Sequence, residues 1–127
     1  MEPIELKERT KRFALRVIKL VEALPNGRLC DTIGRQILRA GTSVGANYRA
    51  ACRARSNADF VSKMGIVEEE LDECLYWMEL LADTETIEVS RLKNLEKEAN
   101  ELLSIAVSSI KTARINTRNR STRAKQK

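Results

Sequence analysis

The spacing of apolar residues along this chain is helical nearly throughout, and it is clearest in the middle. There, seven apolar residues recur at alternating steps of four and three. They are Phe60, Met64, Val67, Leu71, Cys74, Met78 and Leu81. This heptad seam predicts one long helix. Ser56 is placed to cap its first turn, where the negative charge of Asp59 also suits the helix dipole.

Further apolar residues flank the seam of this predicted third helix. They are Leu75, Tyr76, Trp77 and Leu80. A helix that is apolar over so much of its circumference must contact more than one neighbour. For Tyr76 and Trp77 the sequence leaves two placements open, in the core of the protein or in an interface between subunits.

Three other segments also show helical spacing. We predict a first helix over about residues 4–24, ended by the turn sequence Pro25-Asn26-Gly27, a second over about 29–55, and a fourth that begins near Ser90. Four helices with short connections predict an all-α fold, an antiparallel up-down four-helix bundle. We expect this bundle to span residues 1–114, followed by a basic C-terminal tail at 115–127.

One face of the second helix has almost no side-chain bulk. Its glycines each cost about 1 kcal/mol relative to alanine in a helix interior. The apolar period continues through them without a change of phase, so we predict a continuous helix rather than a break near Gly41. A face of this kind allows a neighbouring backbone to approach closely. The residues of a candidate oligomer interface are Gly41, Gly45, Asn47, Tyr76 and Trp77.

Composition argues against enzymatic chemistry. The chain has no histidine, which removes the commonest general base near neutral pH and the commonest metal ligand. No glycine-rich phosphate loop is present. The acidic run at residues 68–73 points in several directions around a helix, so we favour a solvated or salt-bridged face over a metal site. We predict a non-enzyme without metal or cofactor; carboxylates joined between subunits are the one enzymatic alternative left open.

Cysteine usage and hydropathy bear on cellular location. Cys30, Cys52 and Cys74 are odd in number and form no CxxC pair, which favours a reducing cytoplasm. Cys74 lies within the seam, so its thiol is expected to be buried and unreactive. The longest uncharged apolar stretch, residues 102–110, is far shorter than the ~20 residues that span a bilayer. We therefore expect a cytoplasmic protein that does not contact a membrane.

The net charge of +5 is concentrated at the C-terminal end. Residues 1–101 hold 16 basic and 18 acidic side chains, whereas no acidic residue follows Glu101. This basic end of the chain begins with Lys111, and its other six cations are the candidate nucleic-acid contacts Arg114, Arg118, Arg120, Arg123, Lys125 and Lys127. Two functions are open for it, binding of nucleic-acid phosphates or a disordered solubilising extension. The tail has no aromatic residue that would stack on bases.

Arginines of the second helix form another candidate surface. Arg35, Arg39, Arg49 and Arg53 share one broad stripe and would suit a row of phosphates. We favour the other interpretation, pairing with carboxylates of the antiparallel third helix, because arginine forms strong bidentate contacts with them. The expected partners are Glu69, Asp72, Glu73, Glu79 and Asp83.

Two stretches of the sequence resemble a known family. Residues 36–49, QILRAGTSVGANYR, and residues 56–81, with Phe60, Lys63 and the run from Leu75 to Leu81, carry the resemblance. They are similar to the four-helix-bundle proteins encoded in intervening sequences of bacterial 23S ribosomal RNA genes, once described as ribosomal-protein-like. Many relatives have an acidic residue where this chain has Ala50. A role for that carboxylate does not transfer to this chain.

The resemblance implies an up-down bundle that assembles as a ring-like homopentamer and has no established enzymatic activity. It also implies similarity to the accessory proteins of diversity-generating retroelements, which are basic pentameric barrels that bind a reverse transcriptase and nucleic acid. Our hypothesis is a non-enzymatic, oligomeric module that binds structured RNA or a ribonucleoprotein. The alternative is a protein-interaction scaffold or reverse-transcriptase accessory subunit without nucleic-acid binding of its own.

Overall fold

The structure, a computed structural model, describes the backbone of residues 1–126 and the side chains of residues 1–123. Four helices make up the chain: α1 (Pro3–Glu22), α2 (Arg28–Cys52), α3 (Asn57–Asp83) and α4 (Val89–Gln126). Short turns join consecutive helices, which pack against each other. The first and last helices, α1 and α4, also share a smaller contact. This confirms the predicted all-α, antiparallel up-down four-helix bundle.

Local sequence sets where the helices begin. Pro3 stands at the start of α1, where its missing N–H removes no helical hydrogen bond. Gly27 precedes α2 with a φ of 145°, a backbone conformation that side chains rarely allow. Ser56 caps α3 as predicted, because its Oγ accepts a hydrogen bond of 3.0 Å from the backbone N–H of Asp59.

The heptad seam of α3 lies at the centre of the molecule. Its residues from Met64 to Leu81 are buried, and Phe60 at its start is half-buried. The helix packs against both α2 and α4. The prediction that α3 contacts more than one neighbour is therefore confirmed, and both neighbours belong to the same chain.

The small-residue face of α2 receives α1. The helix runs without a break through its glycines, as predicted. A Cβ added at Gly41 would lie 2.8 Å from both γ carbons of Val17, and one added at Gly45 would lie 3.3 Å from Oγ1 of Thr10. Both glycines therefore serve a close helix contact within the protomer, and no contact between subunits is needed to explain them.

The core ends before α4 does. Ala113 is the last buried residue of the chain with a described side chain, whereas the helix continues to Gln126. The segment expected as a tail is therefore helical through residue 126. The expected division at residues 114 and 115 coincides with the end of burial and not with a break in the backbone. Through residue 126, no helix has the length and apolar character needed to cross a bilayer.

Candidate nucleic-acid interface

The end of α4 extends past the core as an exposed helix. We call residues 114–126 the projecting segment. Every side chain from Arg114 to Arg123 is exposed. At 1.5 Å per residue the segment is about 20 Å long. Its described side chains are therefore accessible to a partner.

Four arginines on this segment are predicted nucleic-acid contacts. They are Arg114, Arg118, Arg120 and Arg123, and none of them forms an ion pair with a described residue. The other two predicted contacts are Lys125, whose side chain lies outside the described residues, and Lys127, which lies outside them altogether. An arginine without a carboxylate partner keeps its planar set of N–H donors available for phosphate oxygens.

Asn57 ties α4 to α3 where the projecting segment begins. Its Nδ2 donates hydrogen bonds to the carbonyl of Ala113 at 2.6 Å and to Oγ1 of Thr117 at 2.5 Å. Oγ1 of Thr117 in turn donates to the carbonyl of Ala113 at 3.1 Å. Asn57 is the first residue of α3. The direction of the projecting segment is therefore fixed by a contact at the edge of the core.

Arg39 on α2 is held by two carboxylates of α3. Its Nη1 lies 3.1 Å from Glu70 and its Nη2 lies 2.5 Å from Glu73. Glu73 also accepts a hydrogen bond of 3.2 Å from the indole N–H of Trp77. The hydrogen bond from Arg39 is the main reason that the pKa of Glu73 is lowered. Pairing with Glu73 was the favoured interpretation and is confirmed, while Glu70 was not among the expected partners.

The other α2 arginines have a different environment. Arg35, Arg49 and Arg53 are exposed, and none of them pairs with a carboxylate among the described residues. The pairing expected for them with α3 is absent from the described part of the chain. They remain candidates for phosphate contacts.

A second paired arginine was missed by the sequence reasoning. Arg9 of α1 forms ion pairs with Glu98 and Glu101 of α4, the latter at 2.9 Å. The hydrogen bond with Glu98 is the main cause of its raised pKa. Opposite charges on α1 and α4 are visible in the sequence, but their register is not. The pair joins the two helices that share the smallest contact of the bundle.

Three cationic side chains line a groove beside the projecting segment. Lys7 of α1, Arg55 of the α2–α3 turn and Arg120 of α4 line this cavity of about 950 Å³. Only Arg120 was a predicted site residue. Lys7 and Arg55 are distant in sequence from the tail, so only the antiparallel packing of the helices brings them near it.

The two aromatic residues Tyr76 and Trp77 on α3 differ in exposure. Tyr76 is 53% exposed, whereas Trp77 is half-buried with its N–H bonded to Glu73. Their rings meet edge to face at a centroid distance of 5.1 Å. Asn47, also a candidate interface residue, donates a hydrogen bond of 2.9 Å to the carbonyl of Ser43 on its own helix. Tyr76 is thus the interface candidate that is most available to another molecule.

The three cysteines differ in exposure. Cys74 is buried as predicted, and burial, together with the nearby Glu70 and Glu73, raises the pKa of its thiol to about 12. Cys30 is buried and Cys52 exposed, and neither forms a disulfide. Through the described residues, no cluster of three or more cysteine, aspartate or glutamate side chains is arranged to hold a metal ion.

Comparisons with known proteins find similarity over most of the chain. A family model described as 23S rRNA-intervening sequence protein matches residues 2–108. A crystal structure of a protein of unknown function from the S23 ribosomal protein family of Bacteroides thetaiotaomicron VPI-5482 is similar, with a TM-score of 0.78 and 36% sequence identity, over 87% of this chain and 99% of that chain. No curated protein matches. The match to the family model ends before the projecting segment begins.

Proposed function

We propose that this chain, which belongs to the 23S rRNA-intervening sequence protein family, is a non-enzymatic RNA-binding module whose main contact surface is the projecting segment. The supporting observation is a row of exposed arginines on a helix, without a carboxylate partner among the described residues. Contacts of this kind neutralise phosphates, so binding depends strongly on salt and little on base sequence.

The charge distribution favours binding at one end of the molecule. Residues 1–101 are slightly acidic overall, and the excess of positive charge lies beyond them. RNA is therefore attracted to the end of the bundle where the projecting segment leaves the core. Lys7 and Arg55 increase the positive charge at this same end.

The α2 arginines provide a second contact surface in this proposal. Arg53 directly follows the last residue of α2 and is 18 residues from Arg35, which is five helical turns, so the two lie near the same side of the helix. Arg49 lies close to that side. An RNA held by the projecting segment can reach this row, which begins near the same end of the bundle.

A charge-neutral variant tests the main contact surface. Arg114, Arg118, Arg120 and Arg123 are replaced by glutamine together, and binding to a labelled structured RNA is measured by fluorescence anisotropy at about 50 mM salt. We expect an affinity loss of at least about tenfold, because four phosphate contacts are removed. Circular dichroism should show unchanged helix content, since these side chains are exposed.

The matched control removes the same charge from the bundle. Lys11, Arg12, Lys93 and Lys97 are exposed and without ion pairs among the described residues, and all four are replaced by glutamine. This variant should keep most of the wild-type affinity. Equal losses in the two variants would show that net charge alone governs binding, and absence of wild-type binding at low salt would refute the proposal.

The second part of the proposal is self-association in the cytoplasm as a homo-oligomer, expected as a pentamer, so that one assembly presents several copies of the projecting segment to RNA. Tyr76 supports it as a large exposed aromatic side chain on the outer face of α3, the kind that protein interfaces favour. Light scattering should give the mass of an oligomer for the wild type and a lower mass for Tyr76→Ser. A monomeric wild type at micromolar concentration would contradict this part and leave RNA binding to be judged separately.

A further inference from the structure

The groove beside the projecting segment combines charge with an apolar floor. Lys7 and Arg55 line it, and α4 contributes a wall with Ser104, Ser108 and Arg120. No acidic side chain lines it among the described residues. Three cations from three different parts of the chain therefore face one space without a carboxylate to neutralise them.

The floor of the groove is apolar and partly aromatic. Leu6, Phe60 and Ile105 line it, and Phe60 is half-buried, so part of its ring remains accessible. The tail sequence lacks an aromatic residue, but the fold supplies Phe60 from α3 at the base of the projecting segment. Aromatic side chains beside cations are the surfaces on which unpaired bases stack.

We propose that this groove binds an unpaired nucleotide of the RNA, with the base against Phe60 and the flanking phosphates near Arg55 and Arg120. This inference rests on the proposed RNA-binding function and names the part of the RNA that the site selects. A duplex offers a protein mainly phosphates and sugar hydroxyls, because its bases are paired, so the apolar floor gains nothing from it. The volume of about 950 Å³ lies in the ~300–1,000 Å³ range of small-molecule sites and is ample for a nucleotide.

Filling the groove without changing charge tests the inference. Ser104 and Ser108 are exposed on the α4 wall, and both are replaced by leucine. The probes are a labelled 12-nucleotide oligouridylate, which is single-stranded, and a 12-base-pair RNA duplex. We expect the affinity for oligouridylate to fall about tenfold, since stacking of one base is lost, and the affinity for the duplex to change less than twofold.

Two further variants separate groove binding from a general surface effect. The control Ser62→Leu with Ser90→Leu adds the same bulk at exposed positions outside the groove and should bind both RNAs like the wild type. Phe60→Leu should weaken the binding of oligouridylate but not of the duplex. Phe60→Tyr, which keeps an aromatic ring, should bind oligouridylate like the wild type. Because the serine variants alter only exposed positions, they keep the test decisive if a Phe60 variant fails to fold.

The outcomes distinguish the two proposals. If the wild type binds both RNAs and filling the groove weakens neither, the groove proposal is wrong and the projecting segment alone accounts for binding. If the wild type binds neither RNA, the proposed function itself fails. A 12-residue polyglutamate and unlabelled oligouridylate are then compared as competitors of the labelled oligouridylate. If polyglutamate competes equally well, the groove is assigned to acidic peptides and the nucleotide proposal is overturned.

Discussion

Arg39 and Arg118 are the same residue type on two helices of one chain, yet their surroundings differ completely. Arg39 lies on the bundle and is held by Glu70 and Glu73, whereas Arg118 lies on the projecting segment without a carboxylate partner among the described residues. The charge of Arg39, like that of Arg9, is satisfied within the fold. The charge of Arg118 is exposed and remains available to a partner. The comparison teaches that the neighbours of an arginine determine whether its charge is neutralised within the fold or stays available, as the RNA-binding proposal requires.

Removing a large apolar side chain should have the greatest effect and should separate the two regions sharply. Leu71 is fully buried, and Leu71→Ala should lower the free energy of unfolding by about 2–5 kcal/mol, because it leaves a cavity in the core. Ile115 is 45% exposed on the projecting segment, and Ile115→Ala should change stability by less than about 0.5 kcal/mol. Urea denaturation measures both. A similar loss in the two variants would mean that the projecting segment is packed against a surface of the protein.

Adding a methyl group should have the next largest effect. Gly41→Ala places a Cβ 2.8 Å from the γ carbons of the buried Val17 and should destabilise the protein by about 1–3 kcal/mol. The added Cβ of Gly65→Ala on α3 meets nothing within 4 Å. This variant should therefore be stabilised by about 0.5–1 kcal/mol, because alanine favours a helix more than glycine does.

A double variant identifies the partner of Gly41. Val17→Ala removes the γ carbons that the new methyl group would meet. In this background, Gly41→Ala should therefore lower the free energy of unfolding by less than it does in the wild type. The same denaturation experiment measures this difference. Equal costs in the two backgrounds would show that α1 does not lie against Gly41. Destabilisation by Gly65→Ala would reveal a contact on the outer face of α3.

Breaking an ion pair of the bundle should have a smaller effect. Arg9→Met removes the link between α1 and the two glutamates of α4, and we expect a loss of about 1 kcal/mol in thermal or urea unfolding. Arg118→Met on the projecting segment should leave stability unchanged and weaken RNA binding instead. If Arg118→Met destabilised the protein as much as Arg9→Met does, the contrast between paired and unpaired arginines would be lost.

The smallest effect concerns pH. Hydrogen bonding by Arg39 holds the pKa of Glu73 below its ordinary value of 4.5. A carboxyl group with a lowered pKa in the folded state stabilises the protein above its unfolded pKa, and that stabilisation is lost as the pH falls through the folded pKa. Glu73→Gln should therefore lower Tm slightly at pH 7, and the difference should vanish in acid below the lowered pKa. Glu69→Gln, at an exposed position without an ion pair among residues 1–123, is the control and should show no such trend.

The periodic features of the sequence predicted the fold well. The seam from Phe60 to Leu81 and the cap at Ser56 locate α3, and the apolar period through Gly41 predicts that α2 is continuous. These features are local, since each depends on residues within a few turns of the same helix. The separation of positive charge beyond Glu101 likewise identified a segment whose described arginines form no ion pair with a described residue.

Features that depend on the register between helices could not be predicted. Arg9 meets Glu98 only because α1 and α4 are aligned at those turns, and Lys7 and Arg120 line one groove for the same reason. Phe60 belongs to the α3 seam by spacing, so the sequence assigned it to the core and gave no signal that it also borders the tail. The groove is therefore a property of tertiary packing, although each residue that lines it is visible in the sequence.

The salt dependence of RNA binding tests most directly whether the arginines of the projecting segment contact phosphates. Affinities of the wild type and of the variant with Arg114, Arg118, Arg120 and Arg123 replaced by glutamine are measured for oligouridylate between about 50 and 200 mM salt. Each lost phosphate contact lowers the slope of log Kobs against log salt by about 0.7, so the magnitude of the slope should fall by about 3 in the variant. Equal slopes for the two proteins would contradict the assignment, because RNA would then be held by side chains other than those of the projecting segment.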